Sequence, residues 1–545
     1  MRGSFLWMPS GFRLAGIMLA CLLASAPPVV FASAQWLQVP TWASRAPYLP
    51  LEPEMAYTRM HKRSQDYKVY QNVWWQAFRF FAWVPPQEMC QLEDPPGSCP
   101  DLDEDQKRAG VARLEDGVTT NSNIVRAPVA DIQALRSNLR TAYLPGNTLM
   151  IDFPFMAYLN HLGHWAELMV PLLSVLLEGT WRADVRKASL VGRDGQIGGL
   201  GEGVEVQGER AAAALAAAGN TPQRIDTVLL GNKMKLMTPW FSALMDLVLE
   251  AAFPDSPKPQ TVDYGDLAGF DQRAWLMIEN LLVVQDRYTQ PENKKGFAGP
   301  EHGDMWRYDH CERYVSHDFS IRFKQPEHGA LLRRLAYEKV GIPAPAPWQQ
   351  GTPPDLPNTI SLFMPAGPEW PGIINHAELM QLLHRVAGQH NMMARMISLT
   401  EEASFGAYMD AVSRSAVLVG RHLYSMANSM FMRPGSMVVE LLPYKWEWAN
   451  LSMLYRNITE SMGDIHHFAW RPQHYKFAYY SNISDLKYHT WTPIECQAKE
   501  CLSIQAKAGL IVDLEAVGQL LAQKLPAVLA GRPVEELREP WPEAV

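Results

Sequence analysis

Short apolar runs alternate with amphipathic stretches between residues 359 and 441, and that alternation limits the folds open to this chain more than any other feature. Residues 359–364, 393–399, 416–419 and 436–441 are apolar over strand length. Residues 375–387, 402–412 and 422–431 lie between them and space their apolar side chains as a helix does. Thr400 precedes the second of these as a candidate N-cap. Strands that alternate with helices predict a parallel sheet, because each crossover returns the chain to the edge where the next strand starts. Such sheets take ligands outside the carboxyl ends of their strands.

An earlier α/β pattern starts near residue 126, with strands expected at 147–153, 227–230 and 280–286 and helices at 160–177, 240–252 and 330–340. Pro343, Pro345, Pro347, Pro353, Pro354 and Pro357 then remove backbone donors over 343–357 and mark a domain boundary. A last helix is expected at 513–525, ended by Pro526. The expected architecture is α/β, with two Rossmann-like lobes facing a cleft. Its parts are a leader at 1–34, a stem and N-terminal cap at 35–125, a first, acceptor-side lobe at 126–341, a linker at 342–357, a second, donor-side lobe at 358–495 and a C-terminal helix and tail at 496–545. The cleft between the lobes is the default site.

The leader reads as an export signal. Arg2 and Arg13 precede an apolar run from Leu14 to Phe31, and the small residues Ala32 and Ala34 fit a cleavage site after Ala34. A single uncleaved N-terminal membrane anchor is the alternative, since the run is near the lower length limit for crossing a bilayer. Asn450, Asn457 and Asn482 each open a glycosylation triplet, which suits a luminal chain. Cys90 with Cys99, and Cys496 with Cys501, are close enough in sequence for local disulfides in an oxidising compartment. No compact Cys/His set suggests a metal. The formal net charge of -8 is dispersed, which excludes a basic stripe for nucleic acid.

Three segments carry titratable groups in patterns that suit chemistry. In the first, an apolar strand ends at Gly420, and Arg421-His422 follow at an expected helix start. Free N–H groups at a helix start favour a phosphate. Arg421 adds a bidentate donor, and His422 offers one hydrogen bond to an oxyanion. The next strand brings Glu440 to the same edge, to grip sugar or ribose hydroxyls. A routine β-α-β unit with a solvated Arg421 and a structural Glu440 stays open. In the second, Gly163-His164-Trp165 begins a helix, and His164 and Glu167, three apart, share a face as a base and its orienter. A satisfied core histidine is the alternative there. The third, at 304–318, is dense in charge and suits the acceptor side of a cleft, with a surface ion-pair cluster as the more common explanation.

At these residues the chain resembles glycosyltransferase family 61, which includes plant xylosyltransferases and the extracellular O-GlcNAc transferase. The resemblance rests on Gly163-His164-Trp165, on the 420–428 segment that reads Gly420-Arg421-His422-Leu423-Tyr424-Ser425-Met426-Ala427-Asn428, and on Met430-Phe431, Pro434-Gly435 and Glu440-Leu441 in order behind it. It implies a GT-B-like fold and inverting transfer from a nucleotide sugar to a glycan or glycoprotein in the Golgi or endoplasmic reticulum. No cofactor is implied beyond the nucleotide sugar itself. His422, Asn428 and Glu440 then match the donor-side pattern of the family and His164 its first-lobe position, and Arg421 joins the donor side through its place beside His422.

The departures from the family pattern also carry expectations. Leu423-Tyr424-Ser425 stands where the family has Gly-Ala-Gly, and the family's arginines near 363–376 are absent. Side chains at those positions fill space that glycine leaves for a ligand. Arg421 is expected to replace the missing arginines. An inactive family member that binds a glycan or a protein is the second reading.

Overall fold

The central strands of this protein are apolar on both faces, so they assemble into sheets covered on both sides. The computed structural model describes residues 57–63, 67–76, 79–84, 112–113, 124–128, 141–151, 162–179, 181, 224–230, 238–263, 266–267, 274–284, 322–366, 372–400, 402–446, 452–491 and 499–540. The leader with Ala34, together with Cys90, Cys99, the 304–318 cluster, Asn450 and Cys496, lies outside the described residues.

The first sheet holds β1 (Arg59–Arg63), β2 (Tyr67–Gln76), β3 (Arg79–Val84), β4 (Ala112–Arg113), β5 (Ile124–Pro128), β6 (Thr141–Ile151), β7 (Thr227–Leu230), β8 (Gln260–Asp263) and β9 (Trp275–Val284). Their order is β4-β5-β3-β2-β9-β6-β7-β8, with β1 beside β2. The pairs β9–β6, β6–β7 and β7–β8 are parallel, while β2 runs antiparallel to β9. Residues 67–76 and 79–84, which fall in the expected stem and cap, are therefore sheet strands. They show no alternation in sequence because β2 is buried on both faces. Trp74 stacks on Trp83 at 3.9 Å, and Trp275 meets Trp83 edge-on at 4.8 Å.

Three helices lean on this sheet: α1 (Leu162–Glu178), α2 (Pro239–Ala252) and α3 (Pro326–Lys339). Thr238 caps α2 by accepting from the Phe241 N–H, and Pro239 takes the first position, where a missing N–H costs nothing. Trp165 of α1 stacks on Phe241 of α2 with ring centres 3.6 Å apart.

The second sheet is wholly parallel: β10 (Thr359–Pro365), β11 (Met393–Leu399), β12 (Val417–Arg421), β13 (Met437–Leu441) and β14 (His466–Trp470), in the order β11-β10-β12-β13-β14. Its helices are α4 (His376–Gln389), α5 (Phe405–Ser413), α6 (Leu454–Met462), α7 (Lys499–Lys507) and α8 (Leu514–Leu529). Ser404, not Thr400, caps α5 by accepting from Ala407 N–H. Pro526 does not end α8, because burial of Leu525 and Val528 outweighs the one helical bond that proline removes. Residues 424–431 form a 3-10 helix rather than the expected α-helix.

These two sheets with flanking helices, the second wholly parallel, are consistent with a two-lobed, GT-B-like plan. The space between them differs from the expected cleft. One apolar cluster runs from Leu149 and Val228 of the first sheet through α1, α2 and α3 to α5, the 3-10 helix and Val438 of the second. Trp240 and Phe405, and Phe405 and Phe431, meet ring against ring there. The Arg333 guanidinium of α3 crosses to the Met432 carbonyl at 2.8 Å and to Asp464. A second cluster lies on the other face of the parallel sheet, under α4 and α8.

Candidate functional site

The strand order of the parallel sheet reverses between β10 and β12, and in such sheets ligands bind at the carboxyl ends beside that reversal. Just past these ends the chain buries Arg421, His422, Lys445 and Arg471, with Glu440 as their neighbouring carboxylate. Register decides where each points. Glu440 pairs with Gly420 and Ala469, while Arg421 pairs with Leu441, which pairs in turn with Trp470. Successive side chains of a strand leave opposite faces, so Arg421 and Glu440 diverge.

Arg421 consequently does another job than the one its sequence position suggests. Its guanidinium donates to the carbonyls of Ala508 at 2.7 Å and Ala506 at 3.0 Å, at the C-terminal end of α7. A cation is favourable there, facing the negative end of the helix dipole. Burial lowers its pKa to about 9, which still leaves it charged at neutral pH. Arg421 is a clamp on α7, and the expectation that it would replace the missing donor-side arginines is not met. Lys445, after β13, acts in the same way: its ammonium donates to the carbonyls of His489, at 2.7 Å, and of Trp491.

The helix start after Gly420 is also closed to a phosphate. Every residue of the 3-10 helix Tyr424–Phe431 is buried, and Tyr424 is 0% exposed within the core. Gly420 serves a close approach inside the protein, since a Cβ there would lie 2.6 Å from Met426 Sδ. Asn428 is likewise committed. Its carbonyl oxygen accepts from the Trp240 indole N–H at 2.8 Å, and its amide donates to the Ser425 carbonyl at 3.0 Å. It ties α2 to the second sheet instead of meeting a donor.

His422 and Glu440 are brought together. His422 Nδ1 donates to Glu440 Oε1, and His467 Nε2 donates to Glu440 Oε2 at 2.9 Å. His467 Nδ1 in turn lies 2.7 Å from the Thr459 hydroxyl. Burial by itself would raise the Glu440 pKa, but the two imidazoles outweigh it and hold the carboxyl below its usual range. Both carboxylate oxygens are occupied and the residue is 0% exposed, so Glu440 does not grip sugar hydroxyls. Its work is to hold His422. That ring lies 4.9 Å from Tyr455 and 5.9 Å from Trp446, and it keeps 6% exposure.

His164 and Glu167 fall on the first turns of α1, and their side chains lie outside the described residues. Between them, Trp165 and Ala166 are buried. Asn457 is 7% exposed in the middle of α6, and the Thr459 of its triplet is engaged with His467. An oligosaccharide has no room there in the folded chain, which corrects that expectation. Asn482 is exposed and caps a short 3-10 helix (Ile483–Thr490). Cys501 is buried and disulfide-bonded. His467 and Thr459 were missed in sequence; Ile465, Phe468, Ala469 and Trp470 behind Gly463 carry a strand signal, but it does not name β13 as the partner.

No family model matches the chain. A 100-residue segment is 34% identical to protein O-linked-mannose β-1,4-N-acetylglucosaminyltransferase 2 of Takifugu rubripes, 37% to that of Danio rerio and 32% to that of Tetraodon nigroviridis. Each match covers 18% of this chain and spans 16% of the relative's length. This chain shares a segment with glycosyltransferases. The shared stretch carries a general link to sugar transfer, while donor, acceptor and mechanism have to be argued from the residues themselves.

Proposed function

We propose that this chain is a glycosyltransferase of the family 61 kind, acting in the secretory pathway. It moves a sugar from a nucleotide-sugar donor, with inversion, to a hydroxyl of a glycan or glycoprotein. One observation carries the reading: the buried His422–Glu440–His467 chain, which runs inward from the carboxyl edge of a parallel sheet. Burying a carboxylate costs several kcal/mol before its partners offset that cost, and apolar side chains of similar volume would fill the space more cheaply. Such networks concentrate at functional sites. The segment that supplies His422 and Glu440 is also the one that resembles the family, and the curated relatives are named as N-acetylglucosaminyltransferases. With Arg421 turned to α7, the countercharge for a leaving diphosphate falls to Arg471, which follows β14. Burial lowers its pKa to about 10 and leaves it cationic.

The buried Tyr424 favours a second reading, an inactive member that binds glycan or protein, because it fills space that glycine leaves open in the family. Calorimetric titration of the full chain with a panel of nucleotide sugars, followed by donor-hydrolysis and transfer assays, separates the two. Saturable binding of one donor with turnover supports transfer. Binding without turnover selects the inactive member, and no binding across the panel overturns the transferase.

A further inference from the structure

We propose that His422 is the general base of the transfer, accepting the acceptor's hydroxyl proton on Nε2, and that Glu440 is the positioning residue that fixes its tautomer. The inference rests on the transferase reading above and reverses the role that sequence position alone gives His422. An ionised carboxylate can only accept hydrogen bonds, so the protons facing Glu440 sit on His422 Nδ1 and on His467 Nε2. A neutral His422 therefore carries a lone pair, not a proton, at Nε2. It has no hydrogen to give a phosphate oxygen, whereas a hydroxyl proton fits it.

The rest of the chain of contacts keeps Glu440 negative. Thr459 Oγ1 lies 2.7 Å from His467 Nδ1 and 3.0 Å from each of the Tyr455 and Arg456 carbonyls. Backbone carbonyls only accept, so the Thr459 hydroxyl donates to one of them and turns its oxygen to His467 Nδ1, which fixes the ring against Glu440. The Glu440 carboxylate stabilises the imidazolium that forms on His422. The groups facing His422 are Glu440 from β13, Tyr455 from α6 and Trp446 after β13, and His467 of β14 reaches it through Glu440.

In the step itself, the acceptor O–H bond breaks and its proton goes to Nε2. The freed oxygen attacks the anomeric carbon of the donor from the side opposite the phosphate. The carbon–oxygen bond to the diphosphate breaks, and its electron pair leaves with the nucleoside diphosphate. The imidazolium returns its proton to solvent.

The test compares His422→Gln and Glu440→Gln with the unaltered full chain, using calorimetric donor binding and transfer rates across pH. His422→Gln should lower kcat roughly 10²–10⁴-fold, leave donor Kd within about threefold and abolish the acidic limb of the kcat/KM profile. Glu440→Gln can donate its amide to Nδ1 and so move the ring proton to Nε2. It should lower kcat and shift the acidic limb to lower pH, with donor Kd again unchanged. Loss of donor affinity in parallel with kcat would make His422 a phosphate ligand and overturn the proposal, as would unchanged kcat in His422→Gln. Should Glu440→Gln fail to fold, the His422→Gln comparison decides alone. If the unaltered chain binds no donor, the transferase reading itself fails, a result distinct from either of these.

Discussion

Acidification should strip stability from this protein through His466, the first residue of β14. The side chain is 1% exposed, its ring lies 6.4 Å from Phe468 and 5.8 Å from Trp348, and neither ring nitrogen has a hydrogen-bond partner. Burial lowers its pKa from 6.5 to about 4. As pH falls through 6.5, the unfolded chain takes up the proton and the folded chain does not. The stability held above pH 6.5 is therefore lost progressively down to about pH 4. At 1.36 kcal/mol per unit of pKa difference, the loss is about 2 kcal/mol by pH 5 and about 3 kcal/mol by pH 4. His466→Phe keeps the ring shape, removes the proton site and removes two unsatisfied nitrogens. It should stabilise the chain at pH 7 by about 1–3 kcal/mol, and the gap over the unaltered protein should widen by about 2 kcal/mol at pH 5. Urea unfolding at the two pH values, read as the difference between variant and unaltered protein, cancels the carboxylates common to both. A gap that stays constant with pH, or a variant less stable at pH 7, would refute the reasoning.

Further outcomes follow from contacts elsewhere in the fold. Trp240→Phe keeps the ring in the core but leaves the Asn428 carbonyl oxygen without its donor, so unfolding free energy should fall by about 1–3 kcal/mol in urea titrations. Arg421→Met removes the two hydrogen bonds to the end of α7 and should speed amide hydrogen exchange across 499–507, while donor affinity stays unchanged in calorimetry. In a chain expressed through a secretory host, Asn482→Gln should remove one glycan's mass on electrophoresis, and Asn457→Gln should leave the mobility unaltered.

The second sheet was largely legible in sequence because its connections obey one rule. Apolar runs such as 393–399 stand between helical patterns, and only a parallel arrangement accommodates them. Local chemistry was less legible. The residues Arg421 and His422 are adjacent in sequence, yet strand alternation sends Arg421 away from Glu440, so reading the pair as one phosphate grip ignored the pleat. The cap of α5 went to Thr400 instead of Ser404 because either hydroxyl satisfies a helix start, and spacing alone does not choose between them. Residues 67–76 escaped notice because a strand buried on both faces has no period of two. His467 became meaningful only when β14 took its place beside β13, a pairing across 27 residues that no local pattern announces.

The unbroken apolar cluster between the sheets has a mechanical consequence. Opening one half away from the other would pull Trp240 from Asn428 and tear Phe405 from Phe431, so a hinge at this seam is expensive. Under the proposed function, substrates bound for His422 arrive over the rim formed by the strand tips. Any gate on their passage is a local rearrangement of chain at that rim, not a swing of one half against the other.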